Sequence, residues 1–342
     1  MLVHSIWINV QPFQVIPSAL TLCSLDGPDG CETIVMHPPT NTAYMACSSK
    51  ETRFHWFPAL AHFEFEYKPT QPDGLYTYNM DTGKVTPLEM MGLEGEFFSH
   101  GMDFLQTSET DMTIMAINHK YAGSVVEIFS HKIGSTVLTH VETVVHDLIT
   151  TPNSIVALSP TSFYATNDHA NKSGILRLLE DFLAHPLTYL VYRDDKGHVS
   201  KALDGLIAAN GVAMDKKRSL LYLNHVSIGT TAVYKRHSNG TLEQVKEHYT
   251  SYACDNVSVN QETGRVCLAC FARPLQALVL FKNPDANSAA TTLCSSEDGN
   301  DMVPMVVDGD GVTLRAATSA VYHKGHLLIG KLFGPTFTCK LD

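Results

Sequence analysis

Residues 253–264 read Ala253-Cys254-Asp255-Asn256-Val257-Ser258-Val259-Asn260-Gln261-Glu262-Thr263-Gly264, and a second apolar run, Val266 to Phe271, follows. Val257 and Val259 alternate with polar neighbours as a half-buried strand requires. The Glu-Thr-Gly turn reverses the chain, and the second run completes a hairpin. Asp255 and Asn256 stand at its mouth with oxygens that suit a hard cation, although an Asp-Asn pair serves equally well as a simple turn former.

The same unit recurs. Leu75–Tyr78 is followed by Asp81-Thr82-Gly83, Val125–Ile128 by Lys132-Ile133-Gly134, Tyr189–Tyr192 by Asp195-Lys196-Gly197, and Ala232–Tyr234 by Ser238-Asn239-Gly240. Short apolar runs punctuated by Gly, Asn and Asp describe an all-β chain: a sandwich, a barrel or a propeller. A period favours the propeller. His100-Gly101, Asn153, Asn210-Gly211 and Asp255-Asn256 each adjoin a strand-like run, at steps of 53, 57 and 45 residues. A four-stranded blade takes about 40–50 residues, so six blades account for the 342 residues and would bring these loops to one central channel.

Only the segment near residues 173–185 has helical spacing. Ile175, Leu176, Leu178, Leu179, Phe182 and Leu183 oppose Arg177, Glu180 and Asp181, with Asn171 or Ser173 as the cap. It reads either as a lid over a site or as a helix packed on the rim. No linker divides the chain, so the expected organisation is an extension over residues 1–22 and one propeller domain over residues 23–342.

Lys+Arg 24 against Asp+Glu 35 gives a net charge of −11, which argues against a nucleic-acid partner and suits a cation. No apolar run is long enough for a membrane span, and residues 1–22 lack the basic start of a signal peptide. Asn171-Lys172-Ser173 and Asn239-Gly240-Thr241 are glycosylation sequons and favour secretion. Eight cysteines do not reveal their pairing. Cys267-x-x-Cys270 lies in a strand, which reads as two small buried hydrophobes rather than a metal half-site. There is no G-x-S-x-G elbow, H-E-x-x-H, P-loop or G-x-G-x-x-G before a helix, so serine-hydrolase, zinc-protease and nucleotide-binding chemistry lack their usual residues.

Two constellations remain. Glu32, Asn153, Asn210, Asp255 and Asn256 supply two carboxylates and three amide oxygens, and leave coordination positions of a calcium ion free for water or substrate. His100 and His119 form a candidate general-base pair. The aromatic stretch Phe54, Trp56, Phe57, Phe63, Phe65 and Tyr67 reads as an apolar pocket wall or as packing on an outer blade.

In order along the chain, Ser99-His100-Gly101-Met102, Ile117-Asn118-His119, Ser124–Phe129, Thr151–Val156, Phe163–His169, Ala209–Val212, Asp255–Val259 and Leu327–Gly330 resemble the landmarks of the paraoxonase/arylesterase family of calcium-dependent lactonases. Cys31-Glu32 and Ala46-Cys47-Ser48 are most similar to its fungal branch. The resemblance covers residues 23–342. It implies a six-bladed β-propeller with two calcium ions in a central tunnel. The catalytic ion would sit on Glu32, Asn153, Asn210, Asp255 and Asn256, with a His100/His119 dyad and a ring-closing Cys23–Cys339 disulfide. The helix after His169 would cover the mouth, with Phe54, Trp56, Phe57, Asp168 and His169 as candidate pocket residues. The family's second, structural calcium uses acidic residues where this chain has Thr33 and Ser154. With Met102, these mark a weakened second site, so one calcium is expected.

The leading expectation is a calcium-dependent hydrolase of lactones or aryl esters. The alternative is a non-hydrolytic cyclase of a secondary-metabolite pathway, for example of hetero-Diels–Alder type, in the same tunnel. Either takes a small apolar lactone, ester or polyketide- or terpenoid-like substrate, and the lid helix is a candidate for peripheral membrane contact.

Overall fold

The computed structural model describes residues 23–280, 282–296 and 299–341. The extension expected over residues 1–22 lies outside them. The alternating runs form strands that pair as antiparallel meanders, and the chain is an all-β propeller. Four sheets have four strands each. An eight-stranded sheet arises where meanders 31–91 and 99–144 join edge to edge, Val137–Val144 running parallel to Lys84–Met91. The hairpin at Asp255 pairs Ala253–Val259 with Val266–Phe271. Cys23–Asp29 pairs with Pro335–Lys340, so the first described strand completes the sheet built by the last three, and the Cys23–Cys339 disulfide ties that edge.

The first strand of each meander lies innermost. Cys31–His37, Ser99–Gln106, Pro152–Ala157, Ala209–Asp215, Ala253–Val259 and Ala317–His323 pack in succession around an axis, the last against the first. Between neighbouring sheets the inward-facing apolar residues interdigitate. Ile117 and Val126 meet Ile155 and Ala165 in one such layer, and Val156 and Tyr164 meet Val212 and Leu223 in the next. Each fully buried Val, Leu or Ile side chain of this kind contributes roughly 1.5–3 kcal/mol.

Two expectations need correction. Three α-helices occur among the described residues, not one: α1 (Lys50–His55), α2 (Gly174–Leu183) and α3 (Pro274–Leu280). α1 and α3, at 6 and 7 residues, are too short to show a 3.6-residue apolar period. The start of α1 is set by Ser49, whose Oγ accepts from the Thr52 N–H at 3.0 Å. On α2 the Ser173 side chain makes no capping bond. The Glu180 carboxylate instead accepts from the Ala170 and Asn171 N–H groups at 2.8 and 3.1 Å. The second correction concerns Cys267 and Cys270. They are disulfide-bonded, to Cys294 and Cys254 respectively, because directly opposed strand positions bring the sulfurs together. With Cys31–Cys47, all eight cysteines are paired.

Candidate active site

Every innermost strand breaks register with its neighbour at the same height. Cys31 and Thr33 pair with Cys47 and Ala46, which leaves Glu32 as the extra residue. Ser99 and Met102 pair with Asn118 and Ala116, so His100 and Gly101 share one partner position. Asn153-Ser154, Asn210-Gly211 and Asp255-Asn256 are placed in the same way, and Thr318 is the extra residue of the sixth strand. A bulge turns side chains out of the ordinary alternation. These six collect polar groups at one level of the axis. The backbones crowd there: a Cβ on Gly101 would lie 2.3 Å from the Asn153 carbonyl oxygen, and one on Gly211 would lie 2.5 Å from the Asn256 Cα. Neighbouring strands satisfy the displaced carbonyls. Thr166 Oγ1 donates to Asn210 O at 2.7 Å, Asn224 Nδ2 to Asp255 O at 2.7 Å, and Thr318 Oγ1 to Glu32 O at 3.0 Å.

The side-chain oxygens at this level are not satisfied. Asn153 Oδ1, Asn210 Oδ1, Asp255 Oδ1 and Asn256 Oδ1 are buried without a hydrogen-bond donor. Native proteins rarely leave buried acceptors unpaired. Burial pushes the Asp255 carboxyl well above its ordinary range, and the nearby Glu32 charge adds to the rise. Glu32 is raised as well, by burial, against hydrogen bonds from Thr33 and Asn256 and the charge of Arg53. Two repelling buried carboxylates beside unpaired amide oxygens have the donor chemistry of a hard-cation site. Among the described residues no three His, Cys, Asp or Glu side chains gather to hold a metal. Amides supply most of this set, and they suit hard cations such as calcium, magnesium or manganese rather than zinc or copper.

His100 and His119 meet beside these oxygens. Their rings are 5.0 Å apart at 76°, and His100 Nε2 lies 3.8 Å from Glu32 Oε1. Phe57 stacks on His100 at 5.3 Å. Burial, with Arg53 nearby, pushes the His100 imidazole down to about 3, and burial with the neighbouring His100 holds His119 well below its ordinary value. Both rings are therefore neutral near pH 7. His119 Nδ1 contacts Ser124 Oγ at 2.8 Å, and its Nε2 has no partner.

A pocket of about 140 Å³ opens on His119, walled by Trp56, Pro58, Phe63, Phe65, Tyr121 and Asp168. Of the five pocket residues taken from the sequence, Trp56 and Asp168 line it, and Phe57 backs His100. His169 Nδ1 pairs with Asp168 Oδ1 at 2.8 Å. Phe54 instead turns to His55 and His62, outside the lining. On the other side of the oxygen cluster, a cavity of about 430 Å³ follows the axis past Thr33, Met102, Ser154 and Asn256. Here the hydroxyls are satisfied. Thr33 Oγ1 donates to Glu32 Oε2 at 2.6 Å, and Ser154 Oγ accepts from the Val212 N–H at 3.2 Å.

Two guanidiniums are buried: Arg53, which the sequence did not single out, and Arg177, which the sequence placed on the polar side of the helix. Arg53, 1% exposed, donates to Gly30 O at 2.9 Å and stands over the Phe57 ring at 4.7 Å, with Nε and Nη1 unpartnered. Arg177 reaches down from α2 to Ala59 O. A lone Arg in a helix gives no sign of burial. Its signal lies in contacts made across the fold.

A family model described as Arylesterase matches residues 57–341. Serum paraoxonase/lactonase 3 of Oryctolagus cuniculus is 27% identical over 307 residues, 89% of this chain and 84% of that protein. Serum paraoxonase/arylesterase 1 of Homo sapiens is 28% identical over 282 residues, 80% and 79% of the two chains. Among solved structures, a gluconolactonase from Xanthomonas campestris superposes with a TM-score of 0.55 at 11% identity, covering 93% of this chain and 88% of that one. The regucalcin of Agrobacterium tumefaciens, described as a calcium-binding protein, superposes at 0.51 and 12% identity over 93% and 94%. At such identities these structures show a shared fold.

Proposed function

Because the chain belongs to the arylesterase family, we propose that it hydrolyses lactones or aryl esters at the axial site, with one calcium ion held by Glu32, Asn153, Asn210, Asp255 and Asn256. The observation that carries this reading is the set of four buried oxygens without donors, gathered beside two neutral imidazoles. A calcium ion there would polarise the substrate carbonyl as a Lewis acid.

The protein's own groups do the rest. The aromatic wall of the pocket takes the apolar part of the substrate and excludes bulk water. His119 Nε2 accepts the proton of the attacking water, which requires Nδ1 to carry its hydrogen and donate it to Ser124 Oγ. His100, fixed against Phe57, presses on the same ring and keeps the pair oriented. The cyclase alternative draws support from no feature of this geometry.

The ring counts as six blades over residues 23–342 when the eight-stranded sheet is taken as two, and the packing of six inner strands around the axis supports that count. Four disulfides suit an oxidising compartment. Ile175, Leu176, Leu179 and Leu183 are exposed on α2, which supports peripheral contact with a lipid surface; no described helix is long and apolar enough to cross a membrane. The test is a panel of lactones and aryl esters with and without chelator. Hydrolysis that persists in chelator refutes the calcium-dependent mechanism, and a product without oxygen from labelled water refutes hydrolysis.

A further inference from the structure

Two of the four disulfides adjoin the site in the same way. Cys31 immediately precedes Glu32, and Cys254 immediately precedes Asp255. Cys31 bonds to Cys47 and Cys254 to Cys270, each the directly opposed residue on the second strand, each at a sequence separation of 16. Both bonds therefore close the last regular rung before a bulge. The bulges that carry His100, Asn153 and Asn210 begin at Ser99/Asn118, Pro152/Asn167 and Ala209/His225, with no covalent tie. The covalent rung occurs only at the two bulges that carry a carboxylate of the candidate cation set. We propose that Cys31–Cys47 and Cys254–Cys270 are positioning clamps that hold the Glu32 and Asp255 carboxylates on the axis. This rests on the cation-site reading above.

The physical need follows from the bulge. A bulge interrupts the ladder, so its side chains are held less firmly than those of a regular strand. Glu32 and Asp255 carry like charge, both buried, and the strain of holding them together falls on those two bulges. Amide side chains at the other bulges exert no such repulsion. The sulfurs are buried, with Cys31 and Cys270 at 0% exposure, so the tie acts from within the inner layer. The Cys47 carbonyl also accepts from Ser99 Oγ at 2.9 Å, which links this clamp to the strand that carries His100. The other two bonds serve as internal controls. Cys267–Cys294 joins second and third strands, and Cys23–Cys339 lies on the outer edge.

The test is calcium titration of three double variants: Cys31→Ala/Cys47→Ala, Cys254→Ala/Cys270→Ala and the control Cys267→Ala/Cys294→Ala. The first two are expected to lose calcium affinity by about 10-fold or more, while the control keeps wild-type affinity. Unchanged affinity in the first two, or an equal loss in the control, overturns the proposal. Should the variants not fold, reduction of the wild-type protein followed by mass spectrometry decides. By linkage, calcium shifts the dithiol–disulfide equilibrium of Cys31–Cys47 and Cys254–Cys270 towards the disulfide, but not that of Cys23–Cys339, when the protein is equilibrated in a thiol redox buffer; equal equilibrium positions with and without calcium overturn it. A wild-type protein that binds no calcium overturns the cation reading and this proposal together, whereas calcium binding that is indifferent to the clamps overturns this proposal alone.

Discussion

The inner strands carry two sets of polar side chains, an upper one in the oxygen cluster and a lower one beside the cavity of about 430 Å³, and the two behave differently. At the upper one, Asn153, Asn210, Asp255 and Asn256 present buried oxygens with no donor. At the lower one, Thr33 and Ser154 spend their hydroxyls on Glu32 and on the Val212 backbone. Both sets stand on inner strands around one axis, with similar burial. The difference is that Asn153 and Asn256 spend their NH2 donors on carboxylates and leave Oδ1 facing no N–H or O–H, whereas a single hydroxyl oxygen both donates and accepts and so closes its own network. On the reading proposed above, a cation would satisfy the oxygens of the upper level, whereas the hydroxyls of the lower level have partners.

The largest expected effect falls on the upper level. Asp255→Ala removes a carboxylate from the set and should abolish calcium binding and lower kcat/KM by roughly 10³-fold or more, while Ser154→Ala stays near wild type. Equal losses in the two would erase the distinction. Next, His119→Gln should lower kcat by about 10²–10⁴-fold and leave calcium affinity unchanged, since His119 is assigned to water and not to the cation. A matching loss of affinity would place it in the cation set instead.

The comparison can also be sharpened by making the lower level resemble the upper. Thr33→Asp combined with Ser154→Asp should raise the calcium stoichiometry from one to two in a titration. A stoichiometry of two in the unaltered protein would show that the lower level already binds.

A smaller effect concerns Asp73, behind the strand of His100, where it accepts from the Ser99 N–H at 3.0 Å. Burial pushes its carboxyl up from 3.8 to about 6. The folded state then holds a proton that the unfolded chain has released, so the contribution to stability is full below pH 3.8 and is lost as the pH rises through about 6. Its size is roughly 3 kcal/mol. In chelator, Asp73→Asn should remove this fall from the Tm-against-pH curve, and an unaltered slope would assign the fall to another group.

Part of this was open to reading along the chain. Alternation of apolar and polar residues, with Gly and Asn at the reversals, determines strands and turns because side-chain direction in a strand depends only on position. The 45-to-57-residue steps marked the loops that meet at the axis, where the oxygen-bearing side chains read as candidates stand close together. The amphipathic run near residue 175 likewise became α2. α1 and α3 were illegible, since one or two turns are too few to show a period.

What only the tertiary structure decided lies in contacts between blades. Which oxygens lack a donor, and that Arg53 is buried among carboxylates, depend on groups far apart in the chain. Asn256 and Glu32 are 224 residues apart. Asp255 and Asn256 show the division most plainly. Their identity and their place at a hairpin mouth belong to the sequence. Their status as unsatisfied acceptors follows from a bulge that turns them towards Glu32 of another sheet, and no local pattern encodes what stands on the far side of an axis.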